Sequence, residues 1–401
     1  MKQLQLLTFN AGSSTIKIGL FAIEEGRPSR VGKATIDLAS LPLTLHLQAL
    51  SESLVLPLNT KNGDDFDGLI GEVLDGLAQH FELDALTAAG HRIVHGGDVF
   101  HGPAALDEVT IGRIETLVEL APLHQPQALR LLHAVRRLKP DLVQTASFDT
   151  TFHTTVPDLI RRFALPRDLH DRGIKRYGFH GLSYSHVAGV LAEKAPLVAR
   201  RKVVIAHLGS GASLCGIDNG QSRDTSMGFS TLDGVPMATR PGWLDPGVVL
   251  HLLGPLGKTV EEVEDIFYHR SGLLGVSGTS GNVRHLLADG RAEAREAIDL
   301  FTLRIAGEIG RLACTLQGLD AIVFTAGIGE NQPEIRRSVC DQLRWLGIML
   351  DPEANDANAL RISAPDSRVA VYVIATDEEQ VIANECFGLA DHSGTQQLAR
   401  S

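Results

Sequence analysis

The sequence predicts an α/β protein built from two duplicated domains. The chain has 401 residues, more than a domain with a single hydrophobic core usually contains, so two domains are expected. Its opening segment QLQLLTFNAGSSTIKIGLF resembles the central segment RKVVIAHLGSGASLCGI, and aligning Asn10 with His207 pairs Gly12 with Gly209. Each copy has the pattern of a strand, a turn of small residues and a second strand, a hairpin whose turn can present N–H groups to an anion. Two such hairpins, each at the start of a domain, favour duplicated domains that face a cleft.

Strand and helix patterns alternate along the rest of the chain. The strongest helix pattern covers residues 292–318, where apolar residues recur every three or four positions and Gly318 is a candidate C-terminal cap. The apolar segment AIVFTAG follows as a buried strand. Three further helices are predicted at 117–138, with Pro122 and Pro126 interrupting its first half, at 183–195, with Ser183 as N-cap, and from about Asp377, with Val381, Ile382, Cys386 and Phe387 on its inner face.

Composition and charge narrow the function classes. A formal net charge of −11 argues against a general nucleic-acid-binding protein, so an anionic substrate would need a local cationic site. We find no apolar run of about 18 residues and no signal-peptide pattern at the start of the sequence. The scattered cysteines Cys215, Cys314, Cys340 and Cys386 form no CxxC pair and indicate reduced thiols. These features predict a cytoplasmic protein.

Short clusters of Gly, Ser, Thr, His, Arg and Asp recur along the chain. They are FNAGSSTIK (9–17), GHRIVHGG (90–97), APLHQP (121–126), SFDTTFH (147–153), RYGFHG (176–181), AHLGSGAS (206–213), DTSMGF (224–229), TRPGWLDPG (239–247) and FTAGIGEN (324–331). Their glycines permit close backbone approach to a ligand, and Arg92 and Arg240 can grip a carboxylate or phosphate in a planar, bidentate manner. Phosphoryl transfer needs such positioning, charge neutralisation and a carboxylate for Mg²⁺.

Each cluster alone also has a structural interpretation. Asp149 could cap a helix, His180 could be a packed, hydrogen-bonded histidine, and Glu378 could complement the positive end of the last helix. The segment GPLGKT (254–259) is not a phosphate-binding P-loop, because Leu252 occupies the place of the first glycine and VVLHLL before it reads as helix. The combination of clusters, rather than any single one, indicates an enzyme.

Taken in order, these motifs resemble the acetate kinase (acetokinase) family. The opening NAGSSTIK is similar to the usual NAGSSSLK, and the later clusters, with TDEE near residue 376, match family blocks from about residue 4 to 390. The resemblance implies the duplicated ribonuclease H-like fold of the actin, Hsp70 and sugar-kinase superfamily. It places one domain at 1–149 plus 377–401 and a nucleotide-binding and dimerisation domain at 150–376.

The resemblance also implies an activity. It is the reversible, Mg²⁺-dependent transfer of the ATP γ-phosphate to acetate, giving acetyl phosphate and ADP by direct in-line transfer, with Mn²⁺ as an alternative metal. The implied partners are ATP or ADP, a short carboxylate and a second copy in a homodimer, without nucleic acid or membrane. Propionate or butyrate kinase remains an alternative within the family. An Hsp70-like or actin-like ATPase is an alternative from another class, although no segment is left for a peptide-binding domain.

Individual residues acquire expected roles from the same resemblance. Catalytic roles fall to Arg92, Asp149, His180 and Arg240, metal-associated roles to Asn10 and Glu378, and a further active-site role to His124. Arg92 together with Val94, Leu123 and Phe179 is expected to bind the carboxylate and its methyl group. The nucleotide side is expected at Thr15, Lys17, His207, Gly209, Ser210, Gly211, Asn282, Arg284, Gly327, Ile328, Gly329, Glu330 and Asn331.

The chain departs from the family pattern at a few of these positions. Ser210 replaces the Asn of the usual HLGNG, and Asn282 replaces an Asp expected near the ribose or base. Pro241 and Trp243 replace a Ser and an Asp in the loop of Arg240. These changes leave open how strictly the protein selects its nucleotide. The acyl chain length, the physiological direction and any regulation stay open as well.

Overall fold

The computed structural model describes the chain except residues 1, 4, 13–14, 39–40, 50–51, 61–64 and 399–401. Ser13, which the hairpin alignment pairs with Ser210, therefore lies outside the described residues. The chain divides into two compact units. Unit 1 comprises Met1–Thr151 and Asp377–Ser401, and unit 2 comprises Phe152–Thr376.

The secondary structure alternates strands and helices, as an α/β protein requires. The strands are β1 (Lys2–Gln3), β2 (Leu6–Ala11), β3 (Thr15–Glu24), β4 (Arg27–Asp37), β5 (Thr44–Ala49), β6 (Glu52–Pro57), β7 (Phe81–Glu82), β8 (Ala88–Ile93), β9 (Ala104–Ala105), β10 (Val143–Phe148), β11 (Lys202–Leu208), β12 (Ala212–Asp218), β13 (Gln221–Thr225), β14 (Ala321–Thr325) and β15 (Ala370–Val373). The helices are α1 (Phe66–Ala78), α2 (Glu108–Glu115), α3 (Gln125–Leu138), α4 (Asp158–Arg161), α5 (Arg167–Asp171), α6 (Gly181–Lys194), α7 (Pro196–Ala199), α8 (Pro246–Leu253), α9 (Val260–His269), α10 (Gly272–Ser277), α11 (Val283–Ala288), α12 (Ala292–Leu316), α13 (Ala326–Asn331), α14 (Pro333–Gln342), α15 (Pro352–Asp356) and α16 (Glu378–Leu398).

Unit 1 contains a mixed sheet in the order β6-β5-β4-β3-β2-β8-β10-β9. Side chains alternate between its faces, so Leu7 joins the core under α1 and α3, whereas Leu6 packs with Ala383 and Cys386 of α16. Gly90 allows α16 to approach β8 closely, since a Cβ there would lie 2.6 Å from Cγ2 of Ile382. The last helix thus completes unit 1, whose other elements lie near the start of the chain.

Unit 2 contains a sheet in the order β13-β12-β11-β14-β15. Apolar residues of α6, including Tyr184 and Val187, pack on one face against Val203 and Ile205 of β11. On the other face α12 lies close to β12, where a Cβ on Gly216 would meet Leu316 at 3.3 Å. The central strands are apolar throughout because helices cover both faces.

The two sheets share one topology. In unit 1, β2, β3 and β4 form an antiparallel meander, and β8 and β10 extend it in parallel beside β2. In unit 2, β11, β12 and β13 form the same meander, and β14 and β15 extend it in parallel beside β11. The strands β2 and β11 belong to the two hairpins that the sequence alignment identifies. The structure therefore confirms the duplicated α/β fold class.

Several helix ends differ from the sequence predictions. The predicted helix at 117–138 is a 3-10 turn at Val118–Leu120 followed by α3, whose start at Gln125 suits the proline next to it. Helix α6 begins at Gly181, so Ser183 lies inside its first turn and is not the cap. Helix α12 ends at Leu316 and Gln317, with φ of 57°, takes the left-handed position assigned to Gly318. The predicted strand AIVFTAG ends at Thr325, because its last two residues start α13.

The close approach of α16 to β8 yields a stability prediction. Gly90→Ala should lower the melting temperature, because the added methyl group overlaps Ile382 and overpacking typically costs about 1–3 kcal/mol. Gly71→Ala is the matched control in the same unit. It has no atom within 4 Å of its Cβ position inside α1 and should raise the melting temperature slightly. Differential scanning fluorimetry of both variants tests this, and equal melting temperatures would refute the close packing of α16.

Candidate active site

Unit 1 collects polar side chains at one edge of its sheet. Asn10 lies near the end of β2, Arg92 near the end of β8, and Asp149 directly after β10. Because β2, β8 and β10 are parallel neighbours, their carboxyl ends meet at the same edge. Glu378 and Glu379 open α16 and face this edge through Asn10.

The unit 1 cluster is a connected set of hydrogen bonds around Arg92. Its Nε donates to Oδ1 and Oδ2 of Asp149 at 3.1 and 3.2 Å, and its Nη2 donates to Oδ2 at 2.5 Å. Nη1 donates to Oδ1 of Asn10 at 3.0 Å. Asn10 in turn donates through Nδ2 to Glu378 at 2.8 Å and to Glu379 at 2.9 Å. Asn10 therefore links the arginine to the start of the last helix.

The electrostatics of this cluster favour cations. Burial alone would lower the pKa of the Arg92 guanidinium, but Asp149 and Glu378, followed by Glu379, raise that pKa above its ordinary value. Arg92 consequently carries its charge permanently. Asp149, Glu378 and Glu379 lie around Arg92, and Arg30, 4.0 Å from Glu379, pairs with a further carboxylate, Asp377. Carboxylates thus outnumber the two arginines among these residues, and the negative local charge suits a hard cation that also binds water and phosphate oxygens. Among the described residues, no three His, Cys, Asp or Glu side chains form a metal-binding group by themselves.

Unit 2 places two histidines against the turn of its hairpin. The His180 ring stacks on the His207 ring with centroids 4.3 Å apart. A Cβ on Gly211 would lie 3.4 Å from Nε2 of His180, and a Cβ on Gly209 would lie 3.8 Å from Nε2 of His207. His180 adopts a left-handed conformation, with φ of 59°, immediately before α6. The two Nε2 atoms thus border the Gly209–Gly211 turn.

Hydroxyl groups anchor the opposite nitrogen of each ring. Nδ1 of His180 lies 2.8 Å from Oγ of Ser213, which is also 2.5 Å from the Tyr184 hydroxyl. Burial raises the pKa of Tyr184 well above its ordinary value, so this phenol keeps its proton and can donate to Ser213. Ser213 can then donate to Nδ1, an arrangement that places an N–H group on Nε2 of His180.

His207 is anchored in the same way. Thr376 donates to Oγ of Ser183 at 2.9 Å, and Ser183 lies 2.7 Å from Nδ1 of His207. This second relay likewise directs the Nε2–H group of His207 to the glycine turn.

Arg240 lies at the same glycine turn. Its Nη2 is 2.8 Å from the Cβ position of Gly211, and its Nη1 donates to the Thr231 carbonyl at 2.9 Å. Among the residues that the structure describes, none forms a salt bridge with it. Burial lowers the pKa of Arg240 to about 10, which still leaves it charged at neutral pH. A charged, half-buried guanidinium beside exposed backbone N–H groups is suited to bind an anion.

The loop that carries Arg240 depends on two glycines. Gly242 has φ of 73° and Gly272 has φ of 59°, a conformation that side chains rarely adopt. A Cβ on Gly272 would lie 2.1 Å from the Met237 carbonyl oxygen, so no larger residue fits there. These close backbone contacts fix the loop on both sides of the arginine.

A cavity of about 720 Å³ opens from the same turn within unit 2. Seven residues predicted for the nucleotide line it, namely Gly209, Ser210, Asn282, Arg284, Gly327, Ile328 and Asn331. Sequence reasoning missed its other lining residues, which are Ala238, Gly281, Val283 and Gln332. Asn282 accepts a hydrogen bond from the Arg284 backbone N–H at 3.0 Å and caps α11. The turn thus joins the cavity to Arg240 and the histidine pair.

Other predicted nucleotide residues take different positions. Glu330 directs its carboxylate to the backbone N–H groups of Ala326 and Thr376, at 2.8 and 3.0 Å, and not into the cavity. Gly329 packs against Phe324 behind the lining residues. Thr15 and Lys17 belong to β3 of unit 1, where Lys17 is exposed.

The predicted acyl-pocket residues fall in both units. Val94 follows β8 in unit 1 and is buried, whereas Leu123 of the same unit is 38% exposed. His124 directly precedes α3. Phe179 of unit 2 is buried, and its carbonyl oxygen accepts a hydrogen bond from Nε2 of His153 at 3.0 Å. These positions leave their role in acyl binding a prediction.

The comparisons with known proteins identify the family. The model of the acetokinase family matches residues 5–384. The chain belongs to this family. Curated acetate kinases of Rhodopseudomonas palustris strain TIE-1 and Rickettsia prowazekii are 46% and 41% identical, over 96% and 95% of this chain and 98% of each relative.

Solved structures of similar proteins agree with this assignment. A propionate kinase from Francisella tularensis superposes with a TM-score of 0.90 at 32% identity, covering 97% of this chain and 100% of that structure. An acetate kinase from Porphyromonas gingivalis superposes with a TM-score of 0.86 at 32% identity, covering 96% and 99%. In both comparisons the matched part of this chain includes residues of unit 1 and of unit 2.

The buried histidines of the site motifs predict a pH dependence of stability. Burial lowers the pKa of His91, His95 and His153 to about 4, from an ordinary value of 6.5. Below pH 6.5 the unfolded chain therefore binds more protons than the folded chain, so stability falls as the pH decreases from 6.5 to 4, by up to roughly 3 kcal/mol per histidine. His91→Gln removes one such group and should flatten this dependence.

Thermal melting at intervals between pH 4 and pH 7.5 provides the measurement. His101→Gln changes an exposed histidine and serves as the control. A wild type whose melting temperature stays constant between pH 6.5 and pH 4.5 would contradict the assignment of these three rings as neutral buried groups.

Proposed function

We propose that the chain is an acetate kinase that reversibly transfers the γ-phosphate of ATP to acetate, giving acetyl phosphate and ADP. The observation that carries this proposal is Arg240, a charged guanidinium without an acidic partner among the described residues, beside His180 and the glycine turn. The same turn lines the 720 Å³ cavity through Gly209 and Ser210. A nucleotide in the cavity would extend its phosphates along this turn towards Arg240.

The side chains of unit 2 supply the electrostatic part of the mechanism. The transferred phosphoryl group spreads negative charge over its equatorial oxygens as the bond to ADP breaks. Arg240 and the Nε2–H group of His180 stabilise that charge without moving. His207 adds a second Nε2–H donor at the turn. Neither histidine needs to exchange a proton during the reaction.

The unit 1 cluster binds the carboxylate that accepts the phosphoryl group. A carboxylate is already ionised at neutral pH and attacks phosphorus directly, so the protein needs neither a general base nor a covalent intermediate. Arg92 binds the carboxylate or the incoming phosphoryl oxygen, and Asp149 fixes the plane of its guanidinium. Val94, Leu123 and Phe179 are assigned to the methyl group.

Magnesium fits the donor set of unit 1. Asp149, Glu378 and Asn10 offer oxygen ligands, with an excess of negative charge that Mg²⁺ would neutralise. When bound, the metal would screen the charges of the nucleotide phosphates, and Mn²⁺ could replace it at similar oxygen ligands.

A propionate kinase is the second candidate function. The solved propionate kinase of Francisella tularensis is as similar in sequence, at 32%, as the acetate kinase of Porphyromonas gingivalis. Curated relatives of 40–46% identity, among them the two named above, are named acetate kinases, which favours acetate. One methylene changes specificity by only about 1–3 kcal/mol, so both acids are expected to react.

A substrate panel tests this proposal. ATP-dependent formation of acyl hydroxamate is measured with formate, acetate, propionate and butyrate. We expect the largest kcat/KM for acetate and a smaller value for propionate. A larger value for propionate or butyrate would move the protein to the second candidate function, and no product with any acid would refute both.

The position of Arg240 at the glycine turn predicts a large kinetic effect. Arg240→Ala should lower kcat by about 10²–10³-fold, because it removes a donor to the charge of the transition state. Arg240→Lys should recover only part of the loss, since an ammonium group lacks the planar fork. Arg270→Ala, which removes an exposed ion pair with Asp265 in the same unit, is the matched control. Steady-state kinetics on folded variants decide, and equal turnover in Arg240→Ala and Arg270→Ala would remove Arg240 from the mechanism.

We also propose a homodimer formed through unit 2. The apolar face of the helix predicted at 292–318 does not support this dimer, because α12 buries Phe301, Ile305 and Ile309 inside its own unit. The surface that supports the dimer is α8, which has no buried residue and exposes 71% of Leu250. Light scattering of the wild type, Leu250→Glu and a Leu197→Glu control tests it, and a monomeric wild type would refute it.

The cellular location of the protein is also a proposal. No helix among the described residues is long and apolar enough to cross a membrane. A cytoplasmic location is our proposal, in line with the unpaired cysteines of the sequence.

A further inference from the structure

Arg336 of α14 is a fully buried arginine outside the catalytic clusters. All of its partners are neutral oxygen atoms. Nε donates to Oδ1 of Asn355 at 2.8 Å, and Nη2 donates to the Asn355 carbonyl and to Oδ1 of Asn358, both at 2.6 Å. Nη1 donates to the carbonyl oxygens of Gly329 and Glu330 at 2.8 and 3.0 Å.

A buried arginine without a carboxylate is unfavourable unless its hydrogen bonds compensate. No acidic side chain of the described residues forms a salt bridge with Arg336, and burial lowers its pKa. Two of its hydrogen bonds supply part of this compensation. Their acceptors are backbone carbonyls at the end of α13, which carry partial negative charge. The guanidinium therefore caps the C-terminal end of the helix Ala326–Asn331.

This capped helix forms one wall of the 720 Å³ cavity. Gly327, Ile328 and Asn331 line the cavity, and Gln332 follows directly. The wall starts at Ala326, which is held in a left-handed conformation with φ of 65°. The Glu330 carboxylate secures that first residue by accepting its backbone N–H at 2.8 Å.

The wall is thus fixed at both ends by buried polar contacts. Glu330 holds the first residue of α13, and Arg336 holds its last carbonyls. Asn355 connects this anchor to the start of α14, because its Nδ2 donates to the Pro333 carbonyl at 3.0 Å. A helix of six residues has little stability of its own, so these contacts determine where its backbone lies.

We propose that Arg336 is a positioning residue for nucleotide binding, which sets the cavity wall Gly327–Gln332 without touching the nucleotide. This inference rests on the proposed function only for the identity of the ligand. It predicts a selective loss of nucleotide affinity, because the carboxylate side of the reaction lies in residues that Arg336 does not contact.

The test compares neighbouring arginines of the same helix. Arg336→Met should raise KM for ATP and the Kd for ADP by about tenfold or more, with KM for acetate within about twofold. Arg336→Lys should lie between wild type and Arg336→Met, because one ammonium group cannot reach all acceptors. Arg337→Met is the control, since Arg337 is half-exposed and pairs with Asp356 at 2.6 Å.

A milder variant keeps the test decisive if Arg336→Met does not fold. Asn358 has φ of 50°, so Asn358→Gly preserves the backbone and removes a single acceptor of Arg336. We expect about a two- to fivefold rise in the Kd for ADP, measured by calorimetry, with KM for acetate unchanged. Asn219→Gly, at a left-handed turn position between β12 and β13, is its control.

The outcomes separate this inference from the proposed function. Unchanged ADP affinity in folded Arg336→Met and Asn358→Gly, or parallel rises of both KM values, would overturn the role of Arg336. ADP binding that weakens as expected in a protein that makes no acyl phosphate would support Arg336 as a positioning residue and refute the kinase proposal alone.

Discussion

The bidentate contact between Arg92 and Asp149 is the interaction on which unit 1 depends. It forms because β8 and β10 are parallel neighbours, so residues at their carboxyl ends meet without any unusual backbone. Asn10 extends the contact from the first hairpin to Glu378 and Glu379 of α16. The first hairpin, the middle strands and the last helix are therefore joined by one polar network. Arg92, whose side chain is 14% exposed, thus connects the packing of unit 1 to the polar cluster at the edge of its sheet.

The two units share one sheet topology but differ in the charged groups at the corresponding edge of each sheet. In unit 1 the arginine at the sheet edge is surrounded by carboxylates, which suits a metal ion and fixes the guanidinium plane. In unit 2 the corresponding edge carries neutral hydroxyl–histidine relays and an arginine without an acidic partner among the described residues. The proposed reaction would use this difference, with the acceptor carboxylate at unit 1 and the polyphosphate at unit 2. Duplication supplied the scaffold, and the residues at the strand ends supplied the division of roles.

Local patterns in the sequence predicted the elements that depend on local physics. Both hairpins, the apolar face of α12 and the start of α16 near Asp377 follow from strand and helix periodicity, and the structure confirms them. The prediction that Ser183 caps its helix was wrong. A hydroxyl at the start of a helix is typical of a cap, whereas Ser183 forms a hydrogen bond with His207. Gln317 takes the left-handed position in place of Gly318, and Lys202 donates to its carbonyl from a strand far away in sequence.

The sequence could not reveal those features of the site that depend on contacts between distant segments. Arg336 and Arg337 are adjacent and chemically identical. They lie on different faces of α14, so Arg336 is buried and Arg337 is exposed. Glu330 belongs to a motif of the nucleotide side, yet its carboxylate turns to the backbone of Ala326 and Thr376. The cavity itself combines residues from four separate parts of unit 2. The motifs identified members of three of these parts and missed the part at Ala238.

Asp149→Asn tests the central claim, because it keeps the size of the side chain and removes the charge that holds Arg92. The measurement is kcat at saturating ATP, acetate and Mg²⁺, with the Kd for ADP and the melting temperature recorded on the same preparation. The account predicts a fall in kcat of at least about 100-fold, a loss typical of disrupted transition-state electrostatics, with ADP affinity nearly unchanged. The melting temperature should fall, because Arg92 loses the buried charge partner that holds it in unit 1. Turnover within about threefold of the wild type would contradict it, since Arg92 would then act without its carboxylate partner.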